Sequence, residues 1–114
     1  DSPEKAVEQL SDIRDKKQEY FVCLTLDGAN RLIVKRIITI GTLTASLVHP
    51  REVFADAITD RAASIIVAHN HPSGSLNPST ADLEVTGRIQ QSAKLLGINL
   101  IDHIIVTGDK FATI

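Results

Sequence analysis

The sequence predicts a single α/β domain in which a mixed β-sheet is flanked by helices. Its 114 residues are enough to build one hydrophobic core. Runs rich in β-branched residues alternate with segments of helical periodicity, in the order αβββαβαββ. Because neither repeats nor linker-like tracts interrupt this order, we expect residues 1–114 to form one domain.

The chain is predicted to open with a helix over about residues 3–16. Pro3 suits a first helical turn, and Asp1 and Glu4 stand at capping-box spacing. Apolar residues recur on one face of this segment at helical intervals: Ala6, Leu10 and Ile13.

Three strands are predicted to follow the first helix. Residues 20–26 form a nearly continuous apolar run, which is typical of a strand buried on both faces. Residues 32–40 and 43–48 predict two more strands, separated by a glycine. Lys35 and Arg36 lie in the middle of the first of these two, so we expect that strand to be partly exposed.

A short amphipathic helix is predicted to begin at His49-Pro50 and to end before Ala62-Ala63, and an apolar strand is predicted over residues 64–69. The helix residues expected to face inward are Val53, Phe54, Ala57 and Ile58.

The last third is predicted to contain one helix and two strands. A loop rich in turn formers covers residues 70–78, and the helix after it runs to about Leu96, capped by Gly97. A strand is expected over residues 98–106, and the turn at 107–109 leads into a last short one. Apolar residues of this helix include Leu83, Ile89, Ala93 and Leu96.

Charge and composition limit the classes of partner. Twelve Lys and Arg residues against 14 Asp and Glu residues give a net charge of −2. Nucleic-acid-binding domains usually carry a basic excess on one face, so DNA binding by this domain is not expected. The single cysteine excludes a disulfide framework, and no apolar run approaches the ~20 residues of a membrane span.

The beginning of the chain leads to two expectations. The first residues are acidic and lack an apolar stretch, so we expect a cytoplasmic protein. The sequence does not begin with methionine, so we expect it to be the C-terminal piece of a longer chain.

The side chains with the potential to bind a metal lie where an apolar strand is followed by a loop and then a helix. Side chains two apart on a strand point to the same side, so His69 and His71 are expected to project together while Asn70 points away. Pro72 ends the strand pairing, which puts His71 beside solvent. Asp82 in the first turn of the next helix offers a carboxylate as a third ligand.

Two imidazoles and a carboxylate suit Zn²⁺ and leave a fourth tetrahedral position for water. Bound zinc lowers the pKa of water from about 15.7 towards about 7, which serves hydrolysis at neutral pH. A structural interpretation exists beside this one, because Ser79 and Asp82 have the spacing of a helix-capping box. The two roles are compatible, since the Ser79 hydroxyl could bond a backbone N–H or a reacting oxygen.

The spacing His-x-His, seven residues, Ser, two residues, Asp resembles the JAMM motif of the JAB/MPN metallopeptidase superfamily. The segments 50–54, 68–74, 95–98 and 102–103 resemble its RadC-like branch in particular. The resemblance implies a JAB/MPN, cytidine-deaminase-like fold with zinc on His69, His71 and Asp82. It also implies that Ser79 helps to hold the oxyanion or water.

The resemblance further implies an upstream glutamate that acts as general base and acid. Glu19 occupies the expected place after the first helix and at the start of the first strand. Glu52 is the alternative, although an acidic residue at a helix start has an ordinary role beside the helix dipole.

The leading hypothesis is therefore a zinc-dependent hydrolase of the JAMM type that cleaves an amide or isopeptide bond in a peptide substrate. The ligand set alone would equally permit phosphoester hydrolysis. Two alternatives come from other classes: a DNA-repair-associated interaction module, for which Lys35 and Arg36 would be the basic contacts, and a metal-binding scaffold without turnover. A zinc deaminase is excluded because the chain lacks a Pro-Cys-x-x-Cys pair.

The remaining residues of interest have structural interpretations. His103 is expected to be a hydrogen-bonded strand residue, His49 to serve the turn at a helix entrance, and Cys23 to be a small buried hydrophobe.

Overall fold

The structure, a computed structural model, describes residues 3–44 and 46–114, and these form helices on a single five-stranded sheet. The elements are α1 (Pro3–Glu8), a 3-10 helix (Ser11–Ile13), β1 (Tyr20–Leu26), β2 (Leu32–Ile40), α2 (Pro50–Thr59), β3 (Ser64–Asn70), α3 (Thr80–Leu96), β4 (Asn99–Val106) and β5 (Phe111–Thr113).

The sheet is mixed, as the sequence predicts. Its strand order is β2-β1-β3-β4-β5. The pairing of β3 with β4 is parallel and the other pairings are antiparallel. A parallel pair needs a crossover connection, and α3 provides it between β3 and β4. The carboxyl end of the parallel pair therefore meets the beginning of α3.

The two faces of the sheet carry separate hydrophobic clusters because successive side chains of a strand alternate between faces. In β1, Phe21 and Cys23 pack with α2 and α3, whereas Val22 and Leu24 pack on the opposite side with α1 and the 3-10 helix. The central strands β1 and β3 are buried, as predicted for β1, and β3 is buried along its whole length.

The first helix is shorter than predicted. It ends at Glu8 and the chain continues through a 3-10 helix, so a continuous helix over residues 3–16 is wrong. The amides of Gln9 and Leu10 donate to carbonyls three residues back, which tightens the chain into turns. Ala6, Leu10 and Ile13 are nevertheless all buried. The predicted cap at Asp1 lies outside the described residues.

The predicted strand over residues 43–48 does not form among the described residues of that segment. Leu43 and Val48 are buried in the core, but the amides of Leu47 and Val48 make turn hydrogen bonds by donating to the Thr44 carbonyl. The apolar pattern correctly indicates burial. It does not distinguish a buried loop from a strand.

Three helix residues predicted to be apolar packing positions are exposed. Ile58 is 56% exposed and Leu96 47%, and each lies beyond the last buried residue of its helix. Leu83 is 51% exposed because it lies beside, and not on, the buried stripe of α3. The predicted residues that are buried are Val53, Phe54, Ala57, Ile89 and Ala93.

The other predicted elements are confirmed within a residue or two, including the left-handed Gly97 that ends α3. The edge strand β2 is partly exposed, as predicted from its two basic residues. Among the described helices, none combines the length and the apolar character that crossing a membrane requires.

Candidate metal centre

The end of β3 brings two imidazoles together. His69 is fully buried on the α3 side of the sheet, and its Nε2 lies 2.9 Å from Nε2 of His71. Asn70 points to the other side, where its amide oxygen accepts a hydrogen bond from the Tyr20 backbone at 2.6 Å. The predicted alternation of these side chains is confirmed.

The first turn of α3 adds a carboxylate through a complete capping box. The Ser79 hydroxyl accepts a hydrogen bond from the Asp82 backbone at 3.0 Å, and the Asp82 carboxylate accepts one from the Ser79 backbone at 2.7 Å. The same carboxylate lies 3.1 Å from His69 Nε2 and 3.0 Å from His71 Nε2. The predicted capping box is therefore confirmed. The same capping box holds the Asp82 carboxylate beside both histidines.

These three groups fit a tetrahedral metal ion. Ligand atoms at zinc–nitrogen and zinc–oxygen distances of about 2.0 Å are separated by about 3.3 Å in a regular tetrahedron. The separations among His69, His71 and Asp82 are 2.9, 3.0 and 3.1 Å. Two imidazole nitrogens and a carboxylate at these separations form a donor set that suits a divalent cation, and imidazole N–H hydrogen bonds can hold the same arrangement without one.

Glu19 lies beside this group, directly before β1. Its carboxylate and the ring nitrogens of His69 and His71 lie within 4.8 Å of one another. The backbone of Glu19 is held by Gly41, whose amide donates to its carbonyl at 2.8 Å. Glu52 is elsewhere, in the first turn of α2, where it lines a different cleft.

A cleft of about 720 Å³ opens over the centre. It is lined by residues 17–19, by residues 41–43 and by the loop between β3 and α3. Glu19, His71 and Ser79 face this cleft, whereas His69 and Asp82 are buried behind it. A ligand in the cleft would thus meet one imidazole, one carboxylate and one hydroxyl directly.

Backbone and side-chain partners orient the two imidazoles. His71 Nδ1 lies 2.8 Å from the Ser75 carbonyl, which only accepts, so this nitrogen donates and leaves Nε2 directed at Asp82. His69 Nδ1 lies 2.8 Å from Nε2 of His103, whose other nitrogen contacts the Thr86 hydroxyl.

Burial and hydrogen bonding act in opposite directions on the Asp82 carboxyl. Burial alone would raise its pKa, but the hydrogen bonds from His69 and from the Ser79 backbone hold the pKa well below its ordinary value. Burial, followed by the neighbouring charge of His69, lowers the pKa of His103 to about 3. At neutral pH Asp82 is therefore an anion and His103 a neutral ring.

Neither the contact between His103 and His69 nor the contacts of Thr86 and the Ser75 carbonyl are predicted from the sequence. His103 is a hydrogen-bonded strand residue, as predicted, but its partner is a candidate ligand. A signal for Thr86 was present, since it lies one helical turn after Asp82 and on the same face of α3. The sequence contains no signal for the Ser75 carbonyl, because every residue has a backbone carbonyl that could accept this hydrogen bond.

His49 and Cys23 have the structural roles predicted for them. The His49 ring caps α2 by accepting a hydrogen bond from the Arg51 backbone at 3.1 Å. Cys23 is fully buried, and burial, reinforced by Asp56 and Asp60, raises the pKa of its thiol to about 12. A thiol of this kind is inert as a nucleophile.

Comparison with known proteins identifies the family. A model of the RadC-like JAB domain matches residues 1–114. A UPF0758 protein of Methanospirillum hungatei is 52% identical over 108 residues, which cover 95% of this chain and 48% of that protein. A UPF0758 protein of Bacillus licheniformis is 50% identical over 113 residues, covering 98% and 50%. The chain thus spans about half the length of these relatives, and it belongs to the RadC-like JAB domain family.

Proposed function

We propose that this domain is a zinc-dependent hydrolase that cleaves an amide or isopeptide bond. The observation that carries the proposal is the convergence of His69 Nε2, His71 Nε2 and the Asp82 carboxylate within 3.1 Å, next to Glu19 in an open cleft. Family membership supports it, because the motif that these residues form resembles that of JAMM metallopeptidases. The cytoplasmic location expected from the sequence belongs to the same proposal.

His69, His71 and Asp82 would hold the zinc ion. When bound, the ion supplies a Lewis acid that acidifies water and polarises a carbonyl group. Three protein ligands are the number found in catalytic zinc sites, whereas structural sites use four.

Glu19 is the proposed general base and acid. Its carboxylate faces the cleft beside both imidazoles, where it can take a proton from an attacking water and pass it to the leaving amine. The Ser79 hydroxyl oxygen is occupied as an acceptor for the Asp82 amide, so its hydrogen is free to donate to a developing oxyanion. The bond class is supported by the family resemblance.

Replacing Glu19 separates this proposal from a metal-binding scaffold without turnover. We expect Glu19→Gln to bind zinc as the wild type does but to lose hydrolysis by at least about 100-fold, because the amide cannot accept a proton. The measurement combines zinc content with cleavage of peptide and isopeptide substrates by the purified protein.

Glu52→Gln is the matched control, since Glu52 lies in a different cleft and should be dispensable. If Glu19→Gln cleaves as fast as the wild type, Glu19 has no part in the mechanism. If the wild type binds zinc but cleaves none of the substrates, the scaffold alternative is favoured instead.

A further inference from the structure

Asn70 is a fully buried polar residue that lies between the two candidate histidine ligands in the sequence and points to the opposite face of the sheet. Its amide oxygen accepts a hydrogen bond from the Tyr20 backbone at 2.6 Å, and its amide nitrogen donates to the Gln18 carbonyl at 2.9 Å. The same nitrogen makes a longer contact with the Lys16 carbonyl at 3.4 Å. Both ends of the side-chain amide are therefore bound to the segment before β1.

The amide of Asn70 takes the place of a strand partner at this point. The ladder between β1 and β3 reaches as far as Phe21 and His69, and the backbone of Asn70 pairs with β4. A side-chain amide has the same donor and acceptor groups as a peptide, so it continues the pattern towards the start of β1. Its partners also fix its orientation, since a backbone N–H only donates and a carbonyl only accepts.

The two shorter bonds flank Glu19, the proposed general base. The Gln18 carbonyl belongs to the peptide group on the amino side of Glu19, and the Tyr20 N–H belongs to the peptide group on its carboxyl side. Gly41 holds the second of these peptide groups as well, by donating to the Glu19 carbonyl at 2.8 Å. Because peptide groups are planar, fixing both of them fixes φ and ψ of Glu19 and so the direction of its side chain.

The end of β3 thus organises both parts of the candidate site. Alternation directs His69 and His71 to one face of the strand, while Asn70 holds the Glu19 backbone from the other face. The Glu19 carboxylate and the two ring nitrogens lie within 4.8 Å of one another. Glu19 itself lies in the connection between the 3-10 helix and β1, so its placement depends on these individual bonds.

We propose that Asn70 is a positioning residue, which clamps the backbone on both sides of Glu19 and so holds the Glu19 carboxylate beside the two histidines. The inference rests on the proposed function, because that function gives Glu19 its role in proton transfer. The clamp itself is a property of the chain, and amide exchange measures it without reference to activity.

The test uses two variants that preserve side-chain shape. Asn70→Leu keeps the branching of asparagine and removes all three contacts of its amide. Thr25→Val is the matched control, because Thr25 is also a fully buried polar residue and its hydroxyl bonds to Val34 and Asp60. Thr25 lies near the end of β1 that is remote from Glu19.

Three measurements are made on each protein. Backbone amide exchange, followed by NMR, reports on the Tyr20 N–H and on the rest of the chain. Zinc content after gel filtration reports on the metal centre. Cleavage of peptide and isopeptide substrates gives kcat and KM, and cleavage is also measured for Asn70→Leu combined with Glu19→Gln.

We expect the Tyr20 amide to exchange slowly in the wild type and in Thr25→Val, and both proteins to cleave equally. In Asn70→Leu we expect exchange at Tyr20 to be at least about tenfold faster, with the increase confined to residues near Glu19. Zinc content should be unchanged, and kcat should fall by roughly 100-fold with little change in KM, because the base is displaced and the metal ligands are not. Since the clamp acts through Glu19, Asn70→Leu should cause no further loss in the Glu19→Gln protein.

A Tyr20 amide that exchanges rapidly in the wild type would overturn the inference, whether or not Asn70→Leu folds. An Asn70→Leu protein with wild-type kcat would also overturn it, as would one that loses activity only together with its zinc. A wild type that cleaves none of the substrates contradicts the proposed function. In that case exchange at Tyr20, compared between the wild type and Asn70→Leu, still decides whether Asn70 clamps the backbone around Glu19.

Discussion

Asp82 illustrates how one residue serves both the fold and the site. Its carboxylate is 1% exposed, a position that would be costly for a charge without partners. The Ser79 backbone N–H and the two imidazoles supply those partners, and the capping box fixes the helix start at the same time. The spacing of Ser79 and Asp82 therefore fits the helix cap that the structure contains and also the metal-ligand role that we propose for Asp82.

The carboxylate of Asp60 is also shielded from solvent, with the side chain 5% exposed. It lies outside the candidate metal centre, so its contribution to the stability of the fold can be tested separately. It accepts two hydrogen bonds from Arg36, at 2.9 and 2.5 Å, and one from Thr25 at 3.0 Å. The Arg36 bonds are the main reason that the pKa of Asp60 is lowered from its ordinary value. A carboxyl whose pKa is lower in the folded state than in the unfolded state stabilises the fold only while it is ionised.

We expect Asp60→Asn to lower the denaturation midpoint at neutral pH. The difference from the wild type should shrink as the pH falls below the unfolded-state value of about 4 and through the lower folded-state pKa. Urea denaturation across this range measures it, with the exposed Asp109→Asn as control. A difference that is constant with pH would contradict the role given to the ionised carboxyl.

Helix α3 has one glycine that its backbone conformation requires and one that it does not. Gly97 ends the helix in the left-handed region at φ 70°, which a side chain adopts only with strain. Gly87 lies exposed within the helix, and a Cβ added there would meet nothing within 4 Å.

The two alanine substitutions should therefore change stability in opposite directions. We expect Gly97→Ala to lower the free energy of unfolding by about 1 kcal/mol and Gly87→Ala to raise it by about 0.5–1 kcal/mol. Chemical denaturation of both variants measures the effect. A Gly97→Ala protein as stable as the wild type would mean that the helix end is not held by the Gly97 conformation, and a destabilised Gly87→Ala protein would contradict the expected gain within the helix.

The elements also show where sequence reasoning succeeds and where it stops. Strand positions, the α3 boundaries and the convergence of His69, His71 and Asp82 follow from local rules: alternation, capping and glycine at a helix end. The segment over residues 43–48 fails because Leu43 and Val48 are buried in a turn-rich segment, and burial alone does not select a backbone conformation.

The parts of the site that sequence reasoning could not supply depend on long-range packing. His103 reaches His69 because β4 lies parallel to β3, and the register of that pair sets Val67 opposite His103. Neither the pairing nor the register is visible from the residues of β4 alone. The resemblance alone points to Glu19 as the general base. Its approach to the imidazoles depends on how the segment before β1 packs against the end of β3.

In the molecule as a whole, the distribution of charge determines whether DNA is a suitable partner. Lys35 and Arg36, the basic residues considered for DNA contacts, are paired with Asp12 at 2.8 Å and Asp60 at 2.5 Å. Their charge is thus largely neutralised within the domain. The prediction that the domain does not bind DNA rests on the net charge of −2 and awaits a binding measurement.

We expect negligible binding to duplex DNA even at about 50 mM salt, where electrostatic association is strongest. Fluorescence anisotropy with a labelled duplex measures it, and Lys35→Gln serves as the comparison. Tight binding that weakens steeply with salt and with Lys35→Gln would contradict the prediction and favour the DNA-associated alternative.

The proposed function depends above all on a zinc site formed by His69, His71 and Asp82. Its most direct test is the zinc content of the purified protein after incubation with zinc and gel filtration at neutral pH, compared with His69→Ala and with His49→Ala, which changes a histidine of the α2 cap. We expect about one zinc per chain in the wild type and in His49→Ala, and little in His69→Ala. A wild type without stoichiometric zinc, or a His69→Ala protein that retains it, would contradict the claim.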